Sequence, residues 1–169
     1  MIQQLPNTQI AIDTLSKKLN DSIPQIRAKA AEALGKIGAH RVADTLISHL
    51  QQENDSDVRL SIIRALGNIG TESAIPALAS CLSDANSDIR VNVAEALGKI
   101  GNEKAVQYLI QSLTDSDAKV RTTATIALGE IGLEDAIPHI AKVCSDEDDN
   151  VRLSAVDALG KIGSRYALN

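Results

Sequence analysis

Between Thr71 and Gly101 the apolar positions fall at Ala74, Ile75, Leu78, Ala79 and Leu82, and again at Ile89, Val93, Ala96, Leu97 and Ile100. Steps of three and four place each set on one stripe of an α-helix. The intervening Ser83–Ser87, SDANS, has the composition of a turn. The pattern therefore predicts two helices joined by a short turn. Thr71 is the predicted N-cap of the first and Asp88 of the second. Gly101 falls at the C′ position, where the absence of a Cβ permits positive φ, and Asn102 is placed to cap the helix that follows.

This unit recurs along the chain. All ten glycines lie in five copies of one phrase: A-L-G-K-I-G at Gly35/Gly38, A-L-G-N-I-G at Gly67/Gly70, A-L-G-K-I-G at Gly98/Gly101, A-L-G-E-I-G at Gly129/Gly132 and A-L-G-K-I-G at Gly160/Gly163. The copies are 32, 31, 31 and 31 residues apart, the extra residue lying in the Gln51–Ser56 turn. A fixed period of this size marks stacked repeats. The expected fold is an all-α solenoid of five antiparallel helix pairs, one domain over 1–169. Its repeats span about 8–38, 39–70, 71–101, 102–132 and 133–163, and 164–169 open a sixth.

Two repeated features call for tertiary explanations. The first glycine of each pair lies inside a helical turn, where it costs about 1 kcal/mol relative to alanine. Its recurrence implies that a Cβ there would clash with a neighbouring unit. Each second helix also opens with an arginine: Arg27, Arg59, Arg90, Arg121 and Arg152. An acid stands six residues earlier, at Asp21, Glu53, Asp84, Asp115 and Asp146, with Asp55 an alternative to Glu53 because of the insertion. The expectation is a ladder in which each arginine bridges acidic turn residues of its own and an adjacent unit. Exposed ion pairs contribute only about 0–1 kcal/mol each, so such a ladder would set stacking register more than bulk stability.

Composition narrows the function classes. The net charge of −5 argues against bulk affinity for phosphate backbones or anionic lipids. Two tyrosines are the whole aromatic content, so the core must be built from Ala, Leu, Ile and Val. Cys81 and Cys144 are too few for a disulfide framework and lack metal-ligand spacing. Cys144 replaces Leu19, Leu50, Leu82 and Leu113 of other repeats, as a small buried apolar side chain would. The start of the chain lacks a signal-peptide pattern and no apolar run is long enough to span a bilayer, so a reducing cytoplasm is expected.

The turn acid, the arginine six residues on and the A-L-G-x-I-G ending together resemble HEAT repeats, most closely the short variety named after phycobilisome lyases. The proline usual in the first helix of HEAT units is present at Pro76 and Pro138. Asp13, Asp44 and Gln107 stand at about that place elsewhere, so a proline kink is not expected there. The resemblance implies a right-handed superhelix, with first helices on a convex side and second helices on a concave side where partners dock. It also implies, as an alternative role, a bilin lyase subunit or a phycobiliprotein-handling factor. A third alternative is a structural module of a larger signalling protein.

The candidate partner-binding positions lie two, five and nine residues after each arginine and share one helical face. They are Lys29, Glu32 and Lys36; Ser61, Arg64 and Asn68; Asn92, Glu95 and Lys99; Thr123, Ile126 and Glu130; and Ser154, Asp157 and Lys161. The units differ most at these positions, which fits a protein-binding scaffold, although mixed charges also suit a solvated face. Ile126 is the candidate anchor because the other four units carry a charge there. Catalysis finds no repeating support. His40, His49 and His139 lack acid or cysteine partners, and Asp146–Asp149 lacks the glycine and spacing of a calcium loop. The glycines close helices and follow no strand, so they do not form a phosphate loop. The expectation is a non-enzymatic, cofactor-free protein binder without nucleic-acid or membrane partners.

The tail Gly163–Asn169 aligns with Gly70–Pro76, the opening of a first helix, without a polar capping repeat. Asn7 or Thr8 is the expected cap of the opening helix, which Ser16, Lys17 and Lys18 make comparatively polar. The expectation is either a piece of a longer array or self-association through this C-terminal end.

Overall fold

The computed structural model describes residues 6–167. They form ten α-helices and no strand: α1 (Pro6–Lys18), α2 (Pro24–Ile37), α3 (Ala43–Gln52), α4 (Ser56–Ile69), α5 (Ile75–Ser80), α6 (Ser87–Ile100), α7 (Glu103–Ser112), α8 (Ala118–Ile131), α9 (Ile137–Val143) and α10 (Asp149–Tyr166). The fold resolves into two compact units, 1–77 and 78–169, whose boundary falls inside α5. In the first unit α2 packs along α4, with α1 and α3 against α2 and α4 respectively. In the second, α6, α8 and α10 pack side by side, and α7 and α9 lie against α8 and α10.

The second helix of each repeat starts and stops on local signals. Asp55 accepts hydrogen bonds from the Asp57 and Val58 N–H groups, Asn86 from Asp88, Asp117 from Lys119, and Asp148 from Asn150 and Val151. The cap of α6 is therefore Asn86, two residues before the expected Asp88. The helix begins earlier because the Asn86 N–H is itself held by the Asp84 carboxylate, which fixes the extended cap conformation. Ile23 stands at the same position of α2 with no side-chain cap, and Pro24 starts that helix instead.

At the other end, Gly38, Gly70, Gly101 and Gly132 adopt φ between 66° and 75° and donate their N–H to the leucine carbonyl four residues earlier. Gly163 departs from the expected pattern. α10 runs through it to Tyr166, because Arg165 donates to the Glu130 and Ile131 carbonyls and the Tyr166 hydroxyl to the Gly132 carbonyl. The last turn of α10 thus satisfies the open carbonyls of α8.

The first helices are less regular. A 3-10 turn precedes α3, α5 and α9, at His40–Val42, Glu72–Ala74 and Glu134–Ala136. Pro76 and Pro138 follow two of these turns, but α3 has one without proline, so proline is not their common cause. Thr71 does not cap: its hydroxyl is buried without a hydrogen-bond partner. Asn102 caps α7 as expected. Asn7 and Thr8 fall inside the first turn of α1 rather than before it, and the residue preceding that helix lies outside the described residues.

The leucines of the first four A-L-G phrases supply the core, whereas Leu159 of the fifth is half-buried. Leu34, Leu66, Leu97 and Leu128 are fully buried, each worth about 1.5–3 kcal/mol relative to exposure. Cys81 is buried, whereas Cys144 is half-buried rather than enclosed as expected, lying in the turn that follows α9.

Candidate partner-binding face

Close helix packing shapes the face. A Cβ built on Gly35 would lie 2.6 Å from the Ala65 Cα; on Gly98, 2.7 Å from the Ala127 Cβ; on Gly129, 2.8 Å from the Ala158 Cβ. Successive second helices therefore meet glycine against alanine, α2 on α4, α6 on α8 and α8 on α10, as the recurrent first glycine implies. Gly160 has nothing within 4 Å of such a Cβ.

These contacts leave shallow grooves. In the second unit, Gly98 and Ala127 line a depression of about 320 Å³, walled by Glu95, Lys99, Thr123, Ile126 and Glu130. In the first unit, Glu32, Lys36, Ser61, Arg64, Ala65 and Asn68 line one of about 210 Å³ at the equivalent place. The small residues leave room, while the long side chains five and nine residues after the arginine form the rims. Ile126 is 45% exposed on the first groove, so the structure puts an accessible apolar side chain beside an apolar floor.

The charged positions are largely paired with one another. Glu32 accepts from Lys29 at 2.7 Å and Lys36 at 2.6 Å, and these two ammonium groups pull its carboxyl down to about 2. Lys99 meets Glu95 at 2.9 Å. Lys161 reaches Glu130 at 2.6 Å and Asp157 at 3.1 Å, which raises its pKa above the ordinary lysine value.

Of the positions two residues after the arginine, Ser61 and Thr123 line the grooves and Lys29 is exposed, whereas Asn92 and Ser154 are buried. Ser61 donates to the Asp57 carbonyl, Asn92 to Asp88, Thr123 to Lys119 and Ser154 to Val151. The burial of Asn92 and Ser154 is contrary to their expected availability; their back-bonds satisfy the polar atoms there, as short polar side chains inside a helix do. Sequence reasoning also missed Leu153 and Val156 of α10, 68% and 64% exposed. In other repeats, the equivalents of Val156 are buried.

Within each unit, arginines at the starts of the second helices pair with acids of the following repeat. Arg27 donates Nε and Nη2 to Glu53 at 2.8 and 2.9 Å, Arg90 to Asp115 at 2.8 Å twice, and Arg121 to Asp146 likewise. The Nη1 of each turns back to a main-chain carbonyl of its own turn, at Asp21, Asp84 and Asp115 respectively. The own-unit contact is therefore to backbone, and only the adjacent unit supplies a carboxylate. Glu53 takes the acidic role in the lengthened turn, leaving Asp55 to cap α4. Arg59 holds the equivalent place in α4. Hydrogen bonds from the arginines lower the Glu53, Asp115 and Asp146 carboxyl pKa values, outweighing their burial.

Candidate chemistry elsewhere is sparse. His49 bonds the Thr45 carbonyl at 2.8 Å and the Asn20 side chain at 3.3 Å, while His40 and His139 are exposed. Of the acidic run, Asp146 belongs to Arg121, Asp148 caps α10 and Asp149 pairs with Arg152. Among the described residues no group of three or more His, Cys, Asp or Glu is arranged to hold a metal. None of the described helices is long and apolar enough to cross a membrane.

A family model for HEAT repeats matches residues 1–62, 44–128 and 108–169. The chain belongs to the HEAT-repeat family. Its fold is accordingly that of an all-helical HEAT/armadillo solenoid. A HEAT repeat-containing taxis protein of Halobacterium salinarum is 31% identical over 83 residues, 47% of this chain. This chain spans 20% of that relative's length. The structure of the complex of CpcE and CpcF of phycocyanin lyase from Nostoc matches with a TM-score of 0.79 at 25% identity, over 98% of this chain and 68% of that one. A designed armadillo repeat protein in complex with the peptide (KR)4 matches with a TM-score of 0.67 at 20% identity, over 92% of this chain and 83% of that one, a likeness of fold alone.

Proposed function

We propose that this HEAT-repeat chain is a non-enzymatic cytoplasmic scaffold that binds a partner protein through the face formed by its second helices, the side that the family resemblance makes concave. The observation that carries this reading is the groove on α6 and α8. Gly98 and Ala127 line it, Ile126 stands exposed beside it, and its charged rim residues Glu95 and Lys99 are paired with each other. An apolar anchor inside a self-neutralised rim suits a polypeptide side chain better than a phosphate backbone, in line with the acidic net charge. Ile126, Glu95, Lys99 and Glu130 would form the contact centre, and Lys29, Glu32, Lys36, Arg64 and Asn68 the corresponding surface of the first unit. The test is affinity capture from source cells with wild-type and Ile126→Glu baits, read by mass spectrometry. Proteins retained by wild type and lost from Ile126→Glu are expected; identical captures would remove the face from consideration.

A second reading rests on the likeness to the CpcE–CpcF phycocyanin lyase complex across 98% of the chain. In that reading the chain is one subunit of a bilin lyase or a phycobiliprotein-handling factor. Co-expression with a phycobiliprotein subunit and bilin, scored by covalent chromophore attachment, distinguishes it from the scaffold reading. The taxis relative, of which the chain spans only a fifth, supports a third role as one module of a larger signalling protein.

A further inference from the structure

Exposed large apolar side chains are unevenly distributed among the described residues. Ile10, Ile23 and Ile37 belong to the first repeat, Leu153, Val156 and Tyr166 to α10, and Ile126 alone lies between them. The internal packing explains what the α10 group is built to meet. Ala31, Ala94 and Thr125, four residues after their arginines, are 0% exposed. Each lies one helical turn before the glycine of its own helix that meets the next second helix, Gly35, Gly98 or Gly129. On α10 the same positions are Val156, 64% exposed, and Gly160, whose Cβ would meet nothing.

The arginine of that edge is also set as its counterparts are. Arg152 directs Nη1 to the Asp146 and Glu147 carbonyls, as Arg121 does to Asp115 and Ser116. Its other edge, which in Arg121 grips a carboxylate of the following repeat, rests on exposed Asp149 of its own helix.

The complementary surface exists on the first repeat. Asp21 accepts from the Ile23 N–H through Oδ1, as Asp115 and Asp146 accept from the N–H two residues on, and its carbonyl binds Arg27. Where those aspartates receive an arginine, Asp21 receives only Lys18, 54% exposed, at 2.9 Å. Exposed pairs of this kind are readily exchanged. Ala33 of α2 occupies the place of Ala65, Ala127 and Ala158, the alanines that meet the glycines, and is half-buried where those are buried. Ile37, 38% exposed, is the counterpart of Ile69 and Ile162, which are buried, and of Ile100 and Ile131, which are half-buried.

We propose that two copies of this chain associate head to tail, α10 of one docking on α2 of the next as successive second helices dock within the chain. Val156 and Gly160 pack on Ala33, and Arg152 exchanges Asp149 for Asp21 of the second copy, displacing Lys18. The contact is heterologous, joining two different surfaces of the chain. This surface is separate from the Ile126 groove, and Ile126→Glu is expected to leave it intact.

Sedimentation velocity over a concentration series tests this. Wild type is expected to rise above the monomer mass as concentration increases. Val156→Asp and Ala33→Lys, each shown folded by circular dichroism, are each expected to remain monomeric. Mixed together they are expected to yield a single 1:1 dimer and nothing larger, since one intact surface of each kind remains. A wild-type monomer at every concentration overturns the proposal, as does Val156→Asp assembling like wild type or the two variants failing to combine.

Discussion

Arg121 and Asp146 form a two-pronged pair, Nε to Oδ2 and Nη2 to Oδ1, both at 2.8 Å, while Arg121 Nη1 holds the Asp115 carbonyl at 2.9 Å. Asp146 in turn accepts the Asp148 N–H at 2.9 Å and offers its own carbonyl to Arg152. One carboxylate thus ties a neighbouring repeat to the turn that starts its own second helix.

Because Arg121 and Asp146 are 9% and 12% exposed, their pair falls between a surface bridge and a buried one. Arg121→Lys keeps the charge but cannot reproduce the fork. It is expected to cost about 1–2 kcal/mol, since hydrogen bonds to charged groups contribute about 1.5–3 kcal/mol. The shift in urea midpoint at constant m-value measures this.

Acid should loosen the ladder. Glu53, Asp115 and Asp146 have folded pKa values below their ordinary 4.5, 3.8 and 3.8. In that window the unfolded chain binds more protons, so stability rises with pH. The contribution is complete above about pH 5 and is lost as pH falls through those ordinary values and on through the lower folded ones. Asp115→Asn/Asp146→Asn should be less stable at pH 7 and show a flatter stability profile between pH 5 and 3. An unchanged slope in urea titrations would contradict this account.

The two glycine environments give opposite signs for one substitution. Gly98→Ala adds a Cβ 2.7 Å from Ala127 Cβ and 3.2 Å from its Cα. Overpacking typically costs about 1–3 kcal/mol, against about 1 kcal/mol of gained helix propensity. The expected melting temperature falls. Gly160→Ala meets nothing within 4 Å and lies inside α10, so the melting temperature should rise. Both are measured at dilutions where the chain is monomeric.

Capping offers a further paired test. Asn86→Ala should lower stability by about 1 kcal/mol, whereas Asp88→Ala, inside the first turn, should cost less. Ile23→Asp supplies the cap that α2 lacks and removes an apolar group that is 49% exposed. It should stabilise by about 1 kcal/mol. Thermal melts of the three variants settle the order.

The period of the glycine phrase, the two apolar stripes and the acid–arginine spacing were enough to read paired helices and stacked repeats, because these follow from local backbone preference and helical geometry. The glycine C′ positions at Gly38, Gly70, Gly101 and Gly132 were legible for the same reason. Tertiary structure decided what depends on a neighbour. The cap of α6 fell on Asn86 rather than Asp88 because the Asp84 carboxylate orients it. α10 passed through Gly163 because Arg165 and Tyr166 found carbonyls on α8. Asn92 and Ser154 left the candidate face because neighbouring packing buries them, while Ser61 and Thr123, with the same back-bond, still line the grooves. Val156 became exposed while Ala31, Ala94 and Thr125 were sealed, although all four share one repeat position. A repeating sequence specifies each unit's own helices, but exposure and pairing depend on which unit packs alongside.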